Sequence, residues 1–167
     1  MLNKHGGSSP PLGTIAPLRL VRDLPEHFLI MNGDILTDLD FAALYAAHVA
    51  SGALGTVATY ERDATIDFGV IRFDAARRVT GFTEKPTAHY SVSMGVNVFS
   101  RGVLDLIPPD THFGFDDLVL AMIARGCDLR AYPFNGYWLD IGRPEDYDRA
   151  NAEFEALRDR FLPPGRP

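Results

Sequence analysis

Two apolar runs that each end in a glycine-flanked aspartate constrain this chain more than any other feature. "HFLIMNGD" carries Phe28 to Met31 without alternation into Asn32, Gly33 and Asp34, and "YWLDIG" ends on Asp140 with Gly142 behind it. A short apolar run without polar alternation suits a strand covered on both faces, as in a parallel α/β sheet. In open α/β sheets ligands bind beyond the carboxyl ends of the strands, and Asp34 sits at such an end. Gly33 ahead of it is expected to let the backbone turn sharply.

The rest of the chain supplies helices between strands. Thr14 to Leu24 predicts a short helix with Thr14 as N-cap and Pro17 in its first turn. Asp40 caps a second helix whose apolar face is Phe41, Leu44, Tyr45 and His48, stopped at "SG". "GTVATYE" reads as a strand, "FGVIRFD" and "RVTGFTE" as a hairpin turned by "DAAR", and "MGVNVFS" as a further strand. "DDLVLAMIARG" is a helix stopped by Gly126, followed by strands "DLRAYPF" and "GYWLDI". A last helix starts near Pro144, with Tyr147, Ala150, Phe154, Leu157 and Phe161 as its stripe. The pattern predicts an α/β layered fold with a largely parallel sheet and helices on both faces.

Composition narrows the partners. With 167 residues and 46% hydrophobic content the chain can bury one sizeable core. One domain is expected over residues 12–162, with an irregular lead-in at 1–11 and a tail at 163–167. The net charge is −6 with signs interspersed, so no basic stripe invites a nucleic acid. Cys127 is the single cysteine, which excludes an internal disulfide and a cysteine-based zinc site. No apolar run approaches the ~20 residues that cross a bilayer, and "MLNKHGGSSPPLG" lacks a signal-peptide core. The expectation is a soluble cytoplasmic protein without a membrane partner. The five histidines show no metal-ligand spacing and read as structural or surface residues.

Chemistry then concentrates on carboxylates. Asp34 and Asp140 could converge on one Mg²⁺, a hard cation that commonly takes one or two carboxylates plus substrate phosphates. Each alone reads equally as a turn residue or a helix cap. "GFTEKP" places Glu84 and Lys85 side by side, pointing to opposite faces of a strand unless Pro86 bends the chain.

In this order, "PLGTIAPL", "NGD", "FGVI", "GFTEKP", "SMGVNVFS" and "WLDIGRPEDY" resemble the sugar-phosphate nucleotidyltransferases, whose members include mannose-1-phosphate guanylyltransferases and glucose-1-phosphate thymidylyltransferases. The resemblance runs from about Leu12 to about Ala156 and implies a partial Rossmann-like nucleotidyltransferase domain. It implies Asp34 and Asp140 as Mg²⁺-binding carboxylates, catalytic together with Lys85. It places Gly13, with Thr14 beside it, in the segment near the nucleotide base. Gly69 matches the glycine that lets the backbone approach the sugar, and Gly95 one in the sugar-facing strand. Glu84 matches the acceptor of sugar hydroxyls and Lys85 the cation facing the sugar phosphate. The implied reaction joins a nucleoside triphosphate to a sugar 1-phosphate, giving a nucleotide-sugar and pyrophosphate.

The family's opening strand, its Gly-rich loop (roughly G-G-x-G-T-R-L) and a following P-K-P are absent here. "HGGSSPPLG" follows no strand, so the first βαβ portion is expected to be missing and the chain to begin partway through the domain. Positioned donors of the kind that loop supplies are worth ~2.7–4 kcal/mol each in a transition state, so strong activity from this chain alone is not expected. Without its neighbours, "HFLIMN" should present an unpaired apolar edge. That suggests a homo-oligomer or a separately encoded N-terminal half as partner. The rival reading is a non-catalytic sugar-nucleotide-binding module, or a subunit completing such a half. Smaller departures are Ala16 for a common Gly, Ser93 for Asn and Arg143 for Thr.

Overall fold

The computed structural model describes residues 12–162; the expected lead-in at 1–11 and tail at 163–167 lie outside them. Eight strands are described: β1 His27–Met31, β2 Ile35–Thr37, β3 Gly55–Thr65, β4 Val70–Phe73, β5 Val79–Thr83, β6 Thr87–Ser100, β7 Leu129–Phe134 and β8 Trp138–Asp140. The helices are α1 Phe41–Ser51, α2 Phe115–Ala124, α3 Pro144–Ala156 and α4 Arg158–Phe161, with 3₁₀ turns at Ala16–Leu20 and Arg101–Leu106. One sheet has the order β1-β6-β3-β7, while β2 pairs β8 and β4 pairs β5. The α/β class holds. Strand directions are less uniform than expected: β1 on β6, β2 on β8 and β4 on β5 are all antiparallel. An apolar run reports burial rather than direction, which is why "HFLIMN" misled on this point.

The chain divides into two compact units. The first gathers the segment up to Met31, Asp40–Val57 and Val96–Ala131. Here Val96, Asn97, Val98 and Phe99 of β6 are all buried, so both faces of that strand are covered. The double-sided burial expected of β1 therefore belongs to its neighbour. β1 stands last in its sheet, with Phe28 buried but Met31 44% exposed, the edge position anticipated for it.

Around β6 the core assembles Ile15, Ala16, Phe28, Phe99, Val103, Ile107, Leu118 and Met122. Leu118 and Met122 lie one turn apart on α2, so a single helix face supplies both. Gly126, at φ +66°, follows that helix as expected. The Asp40 side chain accepts from Ala43 N–H and starts α1, and Gly52 at φ +67° ends it. The predicted helix from Thr14 is only a 3₁₀ turn starting at Ala16, with no side-chain cap. Thr14 is engaged elsewhere: its hydroxyl accepts from Phe115 N–H, at the start of α2, at 3.1 Å.

α1 buries His48 completely, and the hydrogen bonds around it settle its tautomer. The Ser100 hydroxyl spends its one hydrogen on Ala53 O at 2.9 Å. Its oxygen must then accept from His48 Nε2 at 3.1 Å and from His27 Nδ1 at 3.1 Å. His48 is thus a neutral Nε2–H imidazole whose Nδ1 accepts the Thr56 hydroxyl at 2.9 Å.

The second unit holds Asn32–Leu39, Ala58–Gly95 and the chain from Tyr132 on. β2, too short to stand out in the sequence, completes a ladder with β8: Ile35↔Asp140, Leu36↔Leu139 and Thr37↔Trp138. α3 and α4 are fastened to the end of this ladder, where Asp38 leaves β2 and Tyr137 enters β8. The Tyr137 hydroxyl donates to Glu153, which Arg149 also engages at 2.5 Å. Asp38 accepts from Tyr137 N–H at 2.6 Å and from Arg160. Burial, with the Glu153 carboxylate beside it, pushes the Tyr137 phenol up to about 12. The predicted last helix breaks at Leu157, and Phe161 folds back to stack on Phe154 with ring centroids 5.8 Å apart. Among the described residues no helix is long and apolar enough to cross a membrane.

Burial, reinforced by the charge on His27, holds the His48 imidazole below its usual value of 6.5. The unfolded chain therefore binds the proton more readily. Stability should be complete above about pH 6.5 and fall as pH drops below that value, toward the lowered folded-state value. Thermal denaturation from pH 8 to pH 5 should show this slope, and His48→Gln should flatten it.

Candidate functional site

Asp34 and Asp140 are far apart in the sequence and adjacent in the structure. Asp140 faces Ile35 across the β2–β8 ladder, and one step along, Ile141 N–H donates to Asp34 O at 2.8 Å. With strands ~4.8 Å apart and ~3.4 Å per residue, the two backbones stand roughly 6 Å from each other. Both residues are exposed. Strict pleating would send neighbouring side chains to opposite faces, but Asp34 lies before β2, in the bend at Gly33, so the pleat does not govern it. The Asp140 carboxylate lies back over Gly142, where an added Cβ would meet Oδ1 at 3.3 Å.

Gly33 does not carry the turn as expected. It has no left-handed φ, and an added Cβ there would meet open space. The turn is held from β6 instead. Asn32 N–H donates to Gly95 O at 2.9 Å, and Gly95 has φ +73°. A Cβ on Gly95 would lie 2.7 Å from Asn32 Nδ2 and 3.0 Å from the Ile35 Cδ1 methyl. Gly95 thus makes room for Asn32 and Ile35, which flank Asp34 in the chain, and the Asn32 contact is one the sequence reading passed over. The signal was the place of Asn32 directly before the Gly-Asp pair.

Gly69, Glu84 and Lys85 form a second group. Glu84 and Lys85 are not on a strand: they occupy the bend between β5 and β6, and Lys85 has φ +40°. Pro86 follows, its carbonyl accepting from Ile66 N–H at 3.0 Å. A left-handed φ on a residue with a side chain costs of order 1–3 kcal/mol and marks a constrained position. Gly69 is pressed by Phe82, whose ring would be 2.5 Å from an added Cβ, and Glu84 Oε2 would be 3.1 Å away. The glycine therefore admits a phenylalanine ring and brings a carboxylate over bare backbone.

Trp138 is half-buried, donating from Nε1 to Met94 O at 3.2 Å. Its ring is 5.4 Å from Tyr60, and the Arg62 guanidinium lies 5.0 Å from its centroid. Gly13 and Thr14 lie in the other unit, docked on the segment before α2. Gly13 has φ +83° and a Cβ there would strike Phe113 O at 2.7 Å. Both therefore have packing roles of their own. Among the described residues no group of three or more His, Cys, Asp or Glu side chains could hold a metal ion, so any cation here would rest on the aspartate pair and its substrate.

The two left-handed glycines should differ in their tolerance. Gly95→Ala meets movable side-chain ends and should cost about 1–3 kcal/mol, mostly backbone strain. Gly13→Ala meets a backbone carbonyl and should cost more. Urea denaturation of the two variants measures the order.

Known proteins resemble this chain in sequence and fold. The family model described as "Nucleotidyl transferase" matches residues 6–156. The chain is 32% identical over 143 residues to the mannose-1-phosphate guanylyltransferase catalytic subunit beta of Dictyostelium discoideum, covering 82% of this chain and 40% of that protein. It is 34% identical over 151 residues to a glucose-1-phosphate adenylyltransferase of Pseudothermotoga lettingae, covering 84% and 35%. The chain thus spans about two fifths or less of these curated relatives. Among solved structures, HddC from Yersinia pseudotuberculosis superposes with a TM-score of 0.58 at 23% identity, over 87% of this chain and 64% of that one, a likeness of fold. Aspartates at adjacent ladder positions, a strained Glu-Lys bend and these matches lead to one conclusion: the chain belongs to the nucleotidyl transferase family, among the sugar-phosphate nucleotidyltransferases.

Proposed function

We propose that this chain carries the sugar-phosphate and metal side of a nucleotidyl transfer site, joining a nucleoside triphosphate and a sugar 1-phosphate. The observation that carries the reading is the β2–β8 ladder, which brings Asp34 and Asp140 together from distant parts of the sequence. Two exposed carboxylates offer hard oxygen donors and leave further positions for phosphate oxygens and water, the donor set that suits Mg²⁺. When bound, that ion would neutralise phosphate charge and orient the reacting groups.

The chain's own residues do the rest by position. Asp34 and Asp140 would hold the charge that draws the two anionic substrates together. Glu84, over Gly69, would accept hydrogen bonds from sugar hydroxyls, and Lys85, fixed by its bend, would face the sugar phosphate. Gly95 would lie in the sugar-facing strand. A sugar-phosphate oxygen forms a bond to the α-phosphorus while the bond from that phosphorus to the bridging oxygen breaks, releasing pyrophosphate. By analogy with phosphoserine, whose second pKa is about 6, the nucleophile is already anionic at pH 7, so no general base is required. Guanosine triphosphate with mannose 1-phosphate is the first pair to try, given the guanylyltransferase relatives.

A thermal-shift titration with triphosphates and sugar 1-phosphates, with and without Mg²⁺, tests this. A ligand at a hundredfold excess over its dissociation constant stabilises the native state by about 2.7 kcal/mol. A Mg²⁺-dependent rise in Tm should appear in the parent chain and vanish in Asp34→Asn and Asp140→Asn. A rise that ignores both substitutions would overturn the assignment, and binding without pyrophosphate release would favour the non-catalytic module. Lys85→Met should weaken sugar 1-phosphate binding at least tenfold while leaving Mg²⁺ dependence intact, measured in the same titration.

A further inference from the structure

The outer halves of β3 and β6, neighbours in their sheet, divide their side chains between two faces. On one face Glu61, Asp63 and Thr65 reach across to Ser91 at 2.6 Å, His89 at 2.6 Å and Thr87 at 2.9 Å. Alternation along the strand sends Tyr60 and Arg62 to the other. There the Arg62 guanidinium lies 5.4 Å from the centroid of the Tyr60 ring and 5.0 Å from that of Trp138. Aromatic rings attract a cation through their faces and take none of its hydrogen bonds. Arg62 is exposed, and no described residue accepts a hydrogen bond from it or pairs with its charge. Its in-plane N–H donors are thus held in place and unspent.

We propose that Arg62 is a further substrate-binding residue, its guanidinium taking the phosphate of the sugar 1-phosphate. The inference rests on the reading of Asp34 and Asp140 as the metal-holding pair. Trp138 and Asp140 lie two residues apart on β8, so they share a face and stand ~7 Å from each other along the strand. The cation held by Trp138 is therefore on the face that carries the Asp140 carboxylate. The sugar phosphate fits it better than the triphosphate. The Trp138 indole is tied to Met94 O, directly before Gly95 in β6, the strand along which the sugar would lie. A phosphate monoester presents several strong acceptor oxygens. A planar guanidinium meets two of them bidentately, whereas an ammonium acts as a point charge. Lys85 would then supply charge and Arg62 orientation.

Trp138 is the single tryptophan, so its emission reports on this contact alone. Fluorescence titration of the full chain with mannose 1-phosphate and Mg²⁺ tests the proposal. A saturable change is expected in the parent chain. The dissociation constant should rise about tenfold or more in Arg62→Gln, the scale of one charged hydrogen bond, and less in Arg62→Lys. Guanosine triphosphate should bind both variants as tightly as the parent, and mannose without its phosphate should leave the emission unchanged. If Arg62→Gln binds mannose 1-phosphate as the parent does while Asp34→Asn loses the Mg²⁺ dependence, this inference is overturned and the site reading stands. A loss of triphosphate binding in place of sugar-phosphate binding overturns it too, as does a parent chain indifferent to mannose 1-phosphate. Because the substitution could move Trp138, nitrogen–proton NMR of the unaltered chain gives a second reading. The side-chain Nε–H signal that is missing from Arg62→Gln should shift with mannose 1-phosphate and not with mannose. A signal that stays in place under saturating mannose 1-phosphate counts against the contact whatever the variants do.

Discussion

The three-residue ladder between β2 and β8 is the contact on which the second unit depends. It joins the segment after β1 to the segment after β7, and each of its pairs fixes something further. Ile35 opposite Asp140 leaves Asp34 one step along from Asp140, and Thr37 opposite Trp138 sets the indole where its N–H reaches Met94 O. Just beyond the ladder lies Asp38, whose carboxylate takes both Tyr137 N–H and Arg160. A slip of one residue would move every one of these groups to the wrong face. Leu139, buried on the ladder, opposes such a slip by its burial alone.

The first unit is held differently. Its centre is a strand with four consecutive buried residues, and the polar groups admitted to that interior are satisfied in a chain. Thr56 donates to His48, His48 and His27 donate to Ser100, and Ser100 donates to Ala53 O. Each hydroxyl has one hydrogen to give, so the order of donors follows from counting. An added proton on His48 would reverse the Thr56 bond and place a charge in an apolar interior, where it is costly. The same residues that make the interior specific make it sensitive to acid.

Much of the fold was legible in the sequence, for reasons that can be named. Asp40 and Gly52 bracket α1, Gly126 stops α2, and "FGVIRFD" with "RVTGFTE" form the hairpin, because capping, left-handed glycine and two-residue periodicity are local effects. What failed was non-local. An apolar run could not say that β1 pairs antiparallel or that Met31 is exposed, since Phe28 and Met31 look alike until their neighbours are placed. Thr14 read as the cap of its own helix and instead meets the start of another. β2 was missed because Ile35–Thr37 has too few residues to show a period. For the site, Asp34 and Asp140 were found as strand ends, whereas their adjacency needed the β2–β8 register. Glu84 and Lys85 were placed on a strand because the sequence showed Pro86 but not the left-handed φ that precedes it.

Glycines show how closely packing and function are combined here. Gly69 was read as letting the backbone approach a sugar and Gly95 as lying in the sugar-facing strand, yet at both the place of a Cβ is crowded by protein. Asn32 and Ile35 crowd the place of a Cβ on Gly95, and the Phe82 ring crowds that on Gly69. The two roles are consistent with each other. Asn32 is fixed by its backbone bond to Gly95, and the residues after it run directly into Asp34. Glu84 reaches over Gly69 because the backbone there is bare. In each case the missing side chain brings a carboxylate-bearing segment close to another strand, and a substrate would meet the outer side of that contact. A larger residue at either glycine would displace the carboxylate by displacing its support, so steric demands within the protein are sufficient to specify glycine at positions where a ligand would also require it.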